Sequence, residues 1–221
     1  MAQSAVSPPE RSTYARPMGR PHRVEVPGGY YHVHTRGNDR QAISFGNWSG
    51  RLFVRELARA TRRHGWRILA WCLMTNHYHV VLQIGEAGLS DGMRELNGRF
   101  AIQSNRINKR INHLFGQRFK AHLIEQDGHL LESCRYTLLN PVRAHTVSEP
   151  LRWRSSSMRA MAGLEPAPAW LDVDWILSHF GASPETARRV FLRFVADGIG
   201  MPPPPVPGTV PVARGRRPTR G

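Results

Sequence analysis

Residues 65–84 read GWRILAWCLMTNHYHVVLQI. Two apolar runs, 66–74 and 77–84, flank Thr75 and Asn76, the pattern of two strands joined by a two-residue hairpin connection. Upstream, SGRLFVRELARATRRHG (49–65) spaces Leu52, Phe53, Leu57 and Ala60 at helical intervals, with arginines opposite and Gly65 as the stop. Before it, GGYYHVHTRG (28–37) has strand-like alternation bounded by glycine. Downstream, LSDGMRELNGRFAIQSNRINKRIN (89–112) predicts a long amphipathic helix and FKAHLIEQ (119–126) a strand. HLLESCRYTLLN (129–140) predicts a helix that Pro141 closes. The order β-α-β-β-α-β plus a helix implies an α+β, ferredoxin-like split βαβ fold, an antiparallel sheet with helices on one face. VDWILSHFG (173–181) and SPETARRVFLRFVADGIG (183–200) add a C-terminal helical extension, the second helix starting on Ser183 with Pro184 in its first turn.

Charge narrows the partner. The 221 residues carry 31 Lys and Arg against 16 Asp and Glu, a net charge of +15, and 40% are hydrophobic. A folded domain this basic suits a polyanion, and the rigid arginine fork favours the phosphates of nucleic acid over a lipid surface. Cys72 and Cys134 have no CxxC partner, so no zinc site or disulfide framework is indicated. No run reaches the length of a membrane span, and the N-terminus lacks the apolar stretch of a signal peptide, so a cytoplasmic location is expected. Residues 1–21 are expected to be a disordered basic arm, and 201–221 a disordered tail rich in proline and arginine.

Two groups of residues carry candidate chemistry. On strand 77–83, alternation puts His77 and His79 on one face and Tyr78, Val80 and Leu82 on the core face. The histidine pair is either a ligand set for one divalent ion or two hydrogen-bonded rings on an exposed face. On the helix that follows, Tyr136 and Asn140 lie four residues apart and share a face. There, too, two readings stand: a core tyrosine with a capping asparagine, or a hydroxyl and an amide oxygen projecting together. Taken jointly, the residues fit attack by a tyrosine on a phosphodiester, with a divalent ion on two imidazoles and one amide oxygen stabilising charge on the phosphate. Such mixed ligands suit Mg²⁺ or Mn²⁺. A second H-x-H, His32-Val33-His34, lies on the first strand and is expected to be sheet residues near the site. His122 and His129 have no partner at ligand spacing and read as ordinary. Arg36 at a strand end, and Arg135 and Arg143 around the tyrosine turn, are candidate phosphate contacts or plain surface arginines. Phe115, Phe119 and Trp153 are candidates for base stacking, with core packing as the other role.

GYYHVHTRGNDRQAI, GWRILAWCLMTNHYHVVLQ, FGQRFKAHLIEQDGHLLESCRYTLLNPVRA and WRSSSMRA, in that order, resemble the REP-associated tyrosine transposases. These are relatives of the single-tyrosine insertion-sequence transposases of the HUH nuclease superfamily. The resemblance runs from about His22 to Arg159. It implies a catalytic domain over 22–150, a helical extension over 151–200, and a bacterial cytoplasmic location. It also implies His77 and His79 as metal ligands, Tyr136 as nucleophile and Asn140 as third ligand. Insertion-sequence relatives usually carry glutamine at that third position, so Asn140 is a shorter arm. The implied substrate is single-stranded DNA beside a hairpin, cleaved to a 5′-phosphotyrosine and a free 3′-hydroxyl without a nucleotide cofactor. Monomer and homodimer are both compatible with the family. Two other readings are a replication initiator or relaxase with the same site, and a non-catalytic DNA-binding regulator on the same fold.

Overall fold

The computed structural model describes residues 25–86, 88–125 and 127–202, so the expected basic arm and nearly all of the expected tail lie outside the described residues. Four strands form one antiparallel sheet: β1 (Tyr30–Arg36), β2 (Arg67–Leu73), β3 (His77–Gln83) and β4 (Lys120–Ile124), in the order β2-β3-β1-β4. Helix α1 (Asn47–His64) crosses from β1 to β2, and α2 (Leu89–Ile107) from β3 to β4. Helix α3 (Asp127–Arg143) follows, then the short α4 (Met158–Met161) and α5 (Val173–Ser178), and finally α6 (Pro184–Asp197). The split βαβ order is the expected one. The β2–β3 hairpin closes with the Met74 N–H donating to the His77 carbonyl at 2.8 Å.

Sheet parity divides the molecule. Tyr31, Val33 and Thr35 of β1 lie in register with Leu82, Val80 and Tyr78 of β3, and this face is fully buried. Phe53 of α1 packs on it, 4.8 Å from the Tyr78 ring and edge-on to Phe100 of α2 at 5.8 Å. Each such side chain contributes about 1.5–3 kcal/mol on burial. Gly65 ends α1 in the left-handed conformation (φ 61°), as its position predicts. Both crossover helices thus share one face. Helix α3 covers the opposite one, where Tyr136 meets the ring of His79. The expectation of helices on one face holds for the crossovers and needs α3 added across the sheet.

Two helix ends differ from expectation. Helix α2 stops at Ile107 rather than 112, because the Asn108 side chain donates to the Ser104 carbonyl (2.8 Å) and Lys109 turns left-handed (φ 52°). Helix α3 does not close at Pro141; it runs on to Arg143. Proline removes the N–H that would serve the Thr137 carbonyl. The Asn140 amide reaches back to the carbonyls of Tyr136 (2.9 Å) and Thr137 (3.5 Å), and the Ala144 N–H donates to the Asn140 carbonyl (2.9 Å). Those bonds carry the helix past the proline.

Ser183 caps α6, its hydroxyl accepting from the Thr186 N–H. Phe115 lies beside Tyr78 and Phe100, Phe119 is buried, and the Trp153 indole donates to the Leu73 carbonyl (3.0 Å). All three aromatic candidates for stacking therefore pack within the protein. Among the described residues, no helix is long and apolar enough to cross a membrane.

Candidate functional site

Register gathers five histidines on the face opposite the crossover helices. His34 pairs with His79, Arg36 with His77, His32 with His122, and His34 with Lys120. The rings lie close: His77 to His79 at 5.0 Å, His32 stacked on His79 at 5.1 Å, and His34 stacked on His122 at 6.1 Å. The β1 pair sits beside the β3 pair, as expected. His122, expected to be ordinary, belongs to the same cluster. Strand alternation would have shown which face of β4 it takes; its partners required the sheet order.

Burial keeps the rings of His32, His34, His77 and His79 neutral. It lowers the pKa of His32 to about 3 and those of His34 and His77 to about 4, with neighbouring histidines, Lys120 and Arg36 adding to the effect. His79 is held well below 6.5, also chiefly by burial. The sign of the linkage follows. As pH falls below 6.5 the unfolded chain binds protons that the folded face refuses. Stability is full above that value and drains away as pH falls toward about 4. In metal-free buffer the thermal midpoint is expected to fall across this window, which lies largely above the carboxylate range. A midpoint that stays flat there would contradict the neutral face.

Hydrogen bonds select the free nitrogens. The Asn76 amide donates from Nδ2 to the Arg40 carbonyl (3.2 Å), which fixes its orientation and aims Oδ1 at His77 Nδ1 (2.7 Å). An amide oxygen only accepts, so His77 carries its proton on Nδ1 and keeps the lone pair on Nε2. His79 Nδ1 lies 2.9 Å from His32 Nε2, and these two nitrogens share one proton. With that proton on His79, its Nε2 is the nitrogen left for a ligand. Asn76, read from the sequence only as half of a turn, is thus the group that orients His77.

Helix α3 sets Tyr136 above this face. Its ring stands edge-on to both His32 and His79, 5.7 Å from each. Asn140 follows one turn later, buried, its amide nitrogen engaged on the helix backbone. The expected capping role does not hold: α3 runs on to Arg143, and the Asn140 amide serves the carbonyls of Tyr136 and Thr137 inside the helix. Among the described residues, no three His, Cys, Asp or Glu side chains converge to hold a metal.

The three candidate arginines separate. Arg36 is exposed at the mouth of the face, cross-strand from His77. The Arg143 guanidinium lies 5.3 Å from the Tyr136 ring centre and donates to the Met201 carbonyl (2.8 Å). Arg135 turns away from the site. It pairs with Glu132 (2.5 Å), donates to the Phe194 carbonyl (3.2 Å) and covers the Phe194 ring at 4.4 Å, tying α3 to α6. Its guanidinium is committed to packing rather than to a phosphate.

The family described as "Transposase IS200 like" matches residues 25–137, just over half of the chain. A solved REP-associated tyrosine transposase bound to a REP hairpin is similar over 70% of this chain and 94% of its own, at 20% identity and a TM-score of 0.56, a likeness of fold. A transposase-assigned protein of Deinococcus radiodurans R1 aligns with 50% of this chain and 89% of its own, at 14% identity and a TM-score of 0.39. No functionally curated protein matches the chain.

Proposed function

Because the chain belongs to the IS200-like transposase family, we propose that it cleaves and rejoins single-stranded DNA beside hairpins, with Tyr136 as nucleophile and a divalent metal on His77, His79 and Asn140. The observation that carries this reading is the approach of Tyr136 to within 5.7 Å of the His79 ring inside one chain. That approach also supports a site complete in a monomer, the simpler of the two expected arrangements.

The donor set fits the metal. The pair offers neutral imidazoles with Nε2 lone pairs, oriented through Nδ1 by Asn76 and His32, as metal-binding histidines require. Asn140 supplies a hard oxygen, which suits Mg²⁺ or Mn²⁺ over zinc. When bound, such an ion polarises the scissile phosphate and offsets charge on its oxygens.

The remaining work belongs to the chain. Helix α3 holds the Tyr136 hydroxyl over the sheet, with Arg143 steadying the ring from its outer side. The phenolic oxygen forms a bond to phosphorus while the bond to the 3′-oxygen breaks. Overall the phenolic proton passes to that leaving oxygen. The products are a 5′-phosphotyrosine and a free 3′-hydroxyl, and the reverse attack rejoins strands without a nucleotide cofactor.

The test mixes purified protein with end-labelled single-stranded hairpins from the DNA flanking its own gene, with and without Mn²⁺. A metal-dependent covalent adduct on a denaturing gel is expected. Binding to several hairpins with no adduct would replace this reading with the non-catalytic regulator.

A further inference from the structure

The histidine face is closed at one end. Tyr30, at the start of β1, stacks on Trp175 of α5 at 5.8 Å, and α3 covers the middle. The other end opens at Arg36 into a cleft of about 500 Å³ between the turn 37–40 and the segment 116–120. Arg36, Arg40, Arg118 and Lys120 line it, with Asp39 as its one acid among the described residues.

Three observations mark this cleft as built for a ligand. First, its cations outnumber its acids four to one among the described residues. Arg59, Arg67, Arg99, Arg135 and Arg159 pair with carboxylates, whereas these four, like Arg51 and Arg62 of α1, make no salt bridge among the described residues. Four cations around one acid raise the local potential, at a cost that a bound anion relieves.

Second, the turn is strained. Asp39 and Arg40 are consecutive non-glycine residues at φ 46° and 60°, a conformation that costs about 1 kcal/mol or more each. Third, the walls are rigid. Gly37 bridges to Phe115, and the Asn38 N–H donates to the Leu114 carbonyl (2.9 Å). A Cβ on Gly116 would lie 2.3 Å from Asn38 Oδ1, and one on Gly37 2.2 Å from the Gln41 carbonyl oxygen.

The cleft is also fixed relative to the histidines. Arg36 is the cross-strand partner of His77, and the Arg40 carbonyl takes the Asn76 amide whose oxygen holds His77. An anion seated on Arg36 and Arg40 therefore stands at a set distance from the metal ligands.

We propose that this cleft seats the sugar–phosphate backbone of the single strand leading to the scissile bond, reading charge and spacing rather than base identity. The inference deepens the nuclease reading and rests on it for the direction in which the strand runs. Four cations and two glycine-tight walls, with no Phe, Tyr or Trp among the described residues that line the cleft, suit phosphates better than bases.

The test measures anisotropy of a fluorescent oligothymidylate, and of an abasic strand of equal length, over a range of salt. Arg40→Ala combined with Arg118→Ala is expected to weaken both ligands by about tenfold or more. It should also reduce the slope of log affinity against log salt by roughly 0.7 for each phosphate no longer neutralised. Arg118→Lys should keep most of the affinity. Arg59→Ala, on an ion-paired arginine of α1, should bind like the parent.

Unchanged affinity in the double variant, with its thermal midpoint intact, would overturn the proposal. So would a loss confined to the strand carrying bases, or displacement of the strand by polyglutamate as readily as by DNA. If the double variant loses binding while the parent forms no adduct on any hairpin, the cleft stands and the nuclease reading falls.

Discussion

Tyr136→Phe is expected to abolish the covalent protein–DNA adduct and lower cleavage by about 10⁴-fold or more, the scale seen when a nucleophile is removed. DNA affinity should stay within about twofold, and stability should change by less than about 1 kcal/mol. Only the hydroxyl is removed. The ring that stands edge-on to His32 and His79 and lies beneath Arg143 remains, so the packing of α3 on the sheet remains with it. A gel of the adduct beside a binding isotherm separates the two effects. An adduct that survives would require another tyrosine. Tyr78 is a poor substitute, because it is fully buried and its hydroxyl is bonded to Asn97 and Thr35. Tyr31 is also buried, its hydroxyl accepting from the Val26 N–H, and Tyr30 stacks on Trp175 at the closed end of the face.

His77→Ala is expected to remove metal-dependent cleavage, with a fall of about 10²–10⁴-fold. Mn²⁺ binding, followed by calorimetry without DNA, should disappear in parallel. His77 is the cleaner choice of the pair. It is partly exposed, and among the described residues its ring is bonded to Asn76, whereas the ring of buried His79 holds His32, so removing His79 costs stability as well. Asn76→Ala should give a milder version of the same defect, about 10–100-fold in Mn²⁺ affinity, because the ligand remains but its tautomer and orientation are no longer imposed. Asn76→Asp, which keeps an oxygen facing Nδ1, should recover part of it. Mn²⁺ binding that survives His77→Ala and disappears in His34→Ala would move the metal to the β1 pair. The two pairs lie on the same face of adjacent strands, so the measurement discriminates between real alternatives.

Much of this was legible along the chain, for a physical reason. Alternation and helical period are local, so residues 65–84 reveal the hairpin and put His77 and His79 on one face of β3. Helical spacing likewise stacks Asn140 one turn beyond Tyr136. Gly65 and Ser183 mark helix ends because a left-handed turn and an N-terminal hydroxyl cap depend on single residues. Pro141 misleads the same logic, since the bonds that offset its missing N–H come from the side chain before it.

Everything that depends on register between distant strands had to wait for the fold. Only the order β2-β3-β1-β4 brings His32 and His34 beside His79 and makes His122 their neighbour. Only packing decides that Arg135 serves α6 while Arg36 lines an open cleft with no ion pair among the described residues, since identical guanidinium groups differ by what faces them. The Asn76 bridge between the Arg40 turn and His77 likewise joins residues distant along the chain, to which no local period points. Short-range periodicity is enough to specify the elements, the faces of β3 and the tyrosine turn. Which faces meet, and which charges are left unpaired, follows from strand register and helix docking, and these are set by long-range packing.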